Sequence, residues 1–241
     1  MFKCIDGNFT CRRHLLKLIG VAGIITSVMP VDRAAFATET HDHAVIMPAA
    51  TNRQSRSEMT LQTAAMLRDL WIGHIFWIRN ISLAVVDSND AAMDAADERV
   101  IANAQSIAAS IERFYGEAAK GVFFNLLGDH YRSVKTYLAA TMSSNVSVQA
   151  AATQSLVSNA EEIAVFLSEA NPYLPKDDFH SLLLAHGGHH IQQIQELTAR
   201  NFVAEAKTWE NMKIHVYQIA DATADALTKQ FPKQFLAQQS E

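Results

Sequence analysis

The chain has 241 residues, 49% of them apolar, with nine Gly, five Pro and a formal charge of −5 at pH 7. This mixture suits long helices better than turn-punctuated strands, and the length suits one sizeable domain, so an all-α fold is expected. No basic block is present, which removes nucleic acid from the expected partners.

Residues 1–37 carry the features of an export signal. Cys11-Arg12-Arg13-His14-Leu15-Leu16-Lys17 resembles the twin-arginine pattern, an apolar stretch from Leu18 to Met29 follows, and Ala35-Phe36-Ala37 offers small residues for cleavage. The apolar run is short for a bilayer span, so the mature chain is expected to be periplasmic or otherwise exported, with no stable membrane span. Both cysteines, Cys4 and Cys11, lie in this segment. Without it the chain keeps 15 basic and 23 acidic residues, a formal charge of −8, and no thiol. Any metal must then be held by His, carboxylate or amide groups. Residues 38–57 are expected to form a flexible leader, in which His41-Asp42-His43 could bind a stray divalent cation but is more often inert.

A single domain is expected over 58–235. A Ser55-Arg56-Ser57-Glu58 capping box opens a first helix that runs to about Val86. The second spans about Asp90 to Phe114 and breaks at Tyr115-Gly116, and the third spans about Glu117 to Thr141. A fourth runs from about Val146 to Ala170, before the two-proline linker Asn171-Pro172-Tyr173-Leu174-Pro175. The fifth and sixth are expected at about Lys176 to Ala199 and Phe202 to Gln230.

Adding 56 to a residue number aligns the chain with itself. His74, His130 and His186 coincide, as do Leu70, Leu126 and Leu182, then Leu67, Phe123 and Phe179. So do Asn103, Asn159 and His215, then Ile107, Ile163 and Ile219. Asn89, Asn145 and Asn201 coincide between the halves, where Asn suits a helix cap or a left-handed helix end. The expected fold is a bundle of about six helices made of three αα-hairpin repeats, about 60–115, 116–171 and 172–230.

In an antiparallel pair, residues equidistant from the turn share a height. His74 then faces Asn103, His130 faces Asn159 and His186 faces His215, each inside an apolar stripe. An unpaired buried polar group costs about 1–3 kcal/mol, so this layer implies either a connected hydrogen-bond network or a metal site. In the first reading, each imidazole donates to its Asn partner or to a backbone carbonyl and the layer fixes helix register. In the second, His74, His130 and His186 converge on one divalent transition metal, zinc, iron or copper. Asn103 and Asn159 then orient the rings from outside, and His215 is a fourth ligand or an acid/base. A closed bundle permits that site, whereas an open array separates the rings.

His190 lies one turn after His186 and is a possible extra ligand. The intervening Gly187-Gly188 points to a close backbone approach or a local helix distortion. There is no Glu-x-x-His repeat, hence no support for a carboxylate-bridged di-iron site, and no nucleophile elbow, phosphate loop or zincin motif. No substrate is indicated. If the metal is catalytic, assisted hydrolysis or redox chemistry is expected. The rival is a non-enzymatic structural, interaction or stress protein.

Over residues 60–235 the chain resembles an uncharacterised family of small bacterial helical proteins. The resemblance rests on Trp71-x-x-His74-x-x-Trp77-x-Arg79-Asn80, Phe114-Tyr115-Gly116, Leu126-Leu127-x-x-His130 and Gln230-Phe231-Pro232. Asn159 through Pro172, and His215 followed by Ala220-Asp221, add to it. It implies a helical bundle with a recurring histidine layer and no particular reaction. The Gly pair after His186 departs from the pattern, where an aliphatic residue usually follows.

Overall fold

A computed structural model describes residues 58–236, which are helical almost throughout, with no strand among them. The expected export signal, the 38–57 leader with His41 and His43, and Ser55 of the capping box lie outside the described residues. The described helices are α1 (Glu58–Val86), α2 (Asp90–Ala109), α3 (Glu112–Met142), α4 (Val146–Ala170), α5 (Lys176–Thr198), α6 (Phe202–Gln230) and α7 (Pro232–Leu236). None is long and apolar enough to cross a membrane.

Three turns of one design join α1 to α2, α3 to α4 and α5 to α6. Ser88, Ser144 and Arg200 take left-handed φ values of 53°, 54° and 55°. The N–H of the following Asn89, Asn145 or Asn201 donates back to Ala84, Ala140 or Glu196, closing the preceding helix. The same three asparagines then cap the next helix, their side chains accepting from the N–H of Ala92, Val148 and Ala204. Asn therefore acts as the cap, and the left-handed position falls one residue earlier.

The links between these pairs differ. α2 ends at Ala109, five residues before the expected Phe114, at a turn formed by Ser110 and Ile111, the latter only 1% exposed. The expected break at Gly116 is present inside α3, where φ is 83° and ψ is 173°. At the α4 to α5 link, Asn171 donates to the Tyr115 hydroxyl, Tyr115 donates to Gln230 Oε1, and Gln230 donates to the Ala170 carbonyl. The short α7, not anticipated from sequence, stacks Phe235 on Phe114 with centroids 5.6 Å apart.

The helices close into a ring. α2 packs between α1 and α3, α4 between α3 and α5, and α6 between α5 and α1, while α5 also touches both α1 and α3. Two bidentate ion pairs join α6 to α1: Arg68 donates to Asp221 at 2.8 and 2.6 Å, and Arg79 to Glu205 at 2.6 and 2.8 Å. Apolar side chains of α1, α3 and α5 fill the middle in two clusters. One contains Leu67, Trp71, Phe123, Leu127, Phe179 and Leu183, and the other Ile78, Ile81, Val134, Leu138 and Ile194. Between these clusters, along each of the three helices, lies a histidine.

Candidate metal centre

His74 sits on α1 within the stripe Leu67, Trp71, Ile78 and Ile81, and helical spacing sends it to the same side as those buried neighbours. His130 on α3 lies likewise among Phe123, Leu127 and Val134, and His186 on α5 follows Phe179 and Leu183. His190, one turn further along α5, joins the same face. The four residues are 4%, 8%, 2% and 1% exposed, in chain order.

All six distances between their ring centroids fall between 4.5 and 5.7 Å, which makes the rings the corners of a compact tetrahedron. One nitrogen from each ring lies within 4.8 Å of the others. Nε2 of His186 and Nε2 of His190 are 3.1 Å apart. Nitrogens bound tetrahedrally at about 2.0–2.1 Å from a metal stand about 3.3 Å apart, so that pair is already near ligand spacing. Trp71 meets His74 and His186 in T-shaped contacts, with centroids 5.8 and 5.6 Å apart. A cavity of about 10 Å³, room for roughly one water molecule or ion, is lined by Trp71, His74, Leu127, His130, Leu183 and His186 among others.

The electrostatics keep these rings neutral. Burial pushes the His74 imidazolium pKa down to about 3, with the neighbouring His130 adding repulsion. Burial pushes His130 to about 4, against a smaller opposing contribution from the Asn159 amide. His186 and His190 fall well below the usual imidazole range, first through burial and then through the charges of neighbouring histidines. Each neutral ring offers one lone pair, the form a metal requires. One nitrogen of each ring lacks a partner: Nε2 of His74, Nε2 of His130 and Nδ1 of His186 and His190 are buried without a hydrogen bond. Orphans of this kind each cost about 1–3 kcal/mol unless something binds them.

His215, aligned in sequence with two asparagines, behaves as they do. Asn103 Nδ2 donates to the Leu70 carbonyl at 3.0 Å, Asn159 Nδ2 to Leu126 at 2.9 Å, and His215 Nε2 lies 2.8 Å from the Leu182 carbonyl. Each accepting residue is four positions before a cluster histidine, so these groups fasten the outer helices to the inner ones beside the rings. His215 is not among the four converging residues, whereas His190 is. The sequence did not single out His189, which packs edge-on against His215 at 5.2 Å. Its signal was its place three residues after His186, on the adjoining helix face.

Gly187 and Gly188 lie in continuous helix, and a Cβ at either would meet nothing within 4 Å, so neither a distortion nor a close backbone approach explains them. The close approach is at Gly73, where a Cβ would stand 2.9 Å from Asn103 Nδ2. The whole is an all-helical bundle enclosing a buried four-imidazole cluster. No family model matches the chain, and neither a curated protein nor a solved structure matches it.

Proposed function

We propose that this chain is an exported helical-bundle protein that binds one divalent transition-metal ion through His74, His130, His186 and His190. The observation that carries the reading is the convergence of four buried, neutral imidazoles, with Nε2 of His74 and His130 unpartnered and Nε2 of His186 and His190 in contact with each other. Imidazole suits zinc, copper, iron or nickel, and no thiolate or carboxylate joins the set to narrow the choice. Four protein nitrogens complete a tetrahedral shell, as structural sites do, so a held or redox-active ion is favoured over hydrolysis at an open position. Export rests on the twin-arginine-like segment, a route that carries folded and often cofactor-loaded proteins.

The same reading takes the fold as three hairpins of 56 residues. Its support is the recurrence of the turns at Ser88, Ser144 and Arg200 and of the carbonyl contacts at Leu70, Leu126 and Leu182.

The rival reading keeps the layer as a device for fold specificity, favoured by the lack of any counter-charge among the four donors. Elemental analysis of protein purified without a histidine tag separates the two. One equivalent of metal, a melting temperature lowered by chelator and loss of the metal in His130→Ala are expected. Absence of stoichiometric metal, together with melting unchanged by chelator, defeats the metal reading.

A further inference from the structure

We propose that His189 and His215 form a second, outer cation site through which a transition-metal ion reaches the buried cluster. The inference rests on the metal reading above but concerns different residues. His215 is prepared as a ligand: the Leu182 carbonyl can only accept, so Nε2, 2.8 Å away, carries the proton and Nδ1 of the neutral ring keeps its lone pair. A ring N–H held by a backbone carbonyl is the usual way a protein fixes the tautomer of a metal-binding histidine. An asparagine at the corresponding positions, 103 and 159, makes the same carbonyl contact without leaving a ring nitrogen over. The His189 ring lies 5.2 Å from that of His215, and its Nδ1 is buried without a partner.

The pair bridges surface and interior. Both rings are half-buried, while the inner four are nearly sealed. His189 is bonded in sequence to His190, and the Leu182 carbonyl that His215 meets lies one turn before His186 on α5. Gly188, exposed and beside His189, leaves open space where a side chain would stand. A cation held by two imidazoles and water at this place can exchange water for the inner nitrogens one at a time.

Rapid mixing with cobalt(II) tests the route, read by the visible bands of the tetrahedral ion and by quenching of Trp71 fluorescence. The variants are His215→Asn, which preserves the carbonyl contact, and His189→Gln. His180→Gln, a half-buried histidine paired with Glu161, is the control. Uptake, and release to chelator, should each slow about tenfold or more in both variants. Stoichiometry, spectrum and equilibrium affinity should stay as in the parent, and the control should exchange at the parent rate. Parent-like rates in His215→Asn and His189→Gln overturn the outer site and leave the inner one standing. Loss of stoichiometry in either variant also overturns it, by placing that residue in the inner shell, as does equal slowing in the control. Failure of the parent to take up cobalt overturns the inner site and this route together.

Discussion

His186 and His190 bring their Nε2 atoms to 3.1 Å across one turn of α5. Only one proton can lie between them, so this contact holds while at least one of the two rings is neutral, and a second proton drives the rings apart.

Acid should therefore destabilise the metal-stripped protein. Above the ordinary imidazole value of 6.5, the ring of His74 is neutral in both folded and unfolded chains. Below it the unfolded chain takes up protons that the fold refuses until about pH 3 at His74 and about 4 at His130. Stability is thus complete above 6.5 and is lost as pH falls, by up to about 1.4 kcal/mol per pH unit for each ring kept neutral. Thermal melts between pH 7 and 4.5 measure this, and a flat melting temperature would show that the rings are not sealed from protons.

Gly116→Ala should destabilise by about 1–3 kcal/mol. Its φ of 83° and ψ of 173° belong to a region open essentially to glycine. Ser144→Gly should act in the opposite direction, by up to about 1 kcal/mol, because φ is 54° there and glycine adopts that conformation without strain. Urea titration of both variants checks the pair of signs.

Gly187→Ala and Gly188→Ala should each stabilise by roughly 1 kcal/mol, since both sites are helical and a Cβ meets no atom within 4 Å. Denaturation midpoints decide this, and a loss of stability would mean that the turn between His186 and His189 is not regular helix in solution.

Arg79→Ala should cost about 2–3 kcal/mol. It strands the Glu205 carboxylate, whose side chain is 2% exposed, with Gln193 as its remaining side-chain partner. The partial exposure of Arg79, 31%, keeps the figure below that of a fully buried pair. Glu205, whose pKa the Arg79 hydrogen bonds hold down, should then titrate higher. Asp87→Ala removes the exposed pair with Arg200 and should change stability by less than about 0.5 kcal/mol. Equilibrium unfolding of the two variants side by side measures the contrast.

The helix ends that depend on local chemistry were legible in the sequence. Asn145 and Asn201 announce α4 and α6, and α4 stops at Ala170, where the following Asn171-Pro172 placed its end. The end of α2 was not legible, because residues 110–114 continue a helical pattern in sequence while the chain turns at Ser110 and the buried Ile111. The shared height of His74, His130 and His186 followed from their spacing. Their meeting depended on whether α6 returns to α1, which rests on the Arg68–Asp221 and Arg79–Glu205 contacts between residues far apart in the chain. His215 carried its own clue: its alignment with Asn103 and Asn159 outweighed its being a histidine, whereas His190 lay within one turn of His186.

The closed ring has a consequence for assembly. Its four imidazoles come from α1, α3 and α5, so an emerging polypeptide has no complete histidine cluster until α5 has been made and docked. α6, the last helix of the ring, then closes the seam against α1, so on the proposed metal reading an ion bound before that step is held less firmly than one in the finished circle.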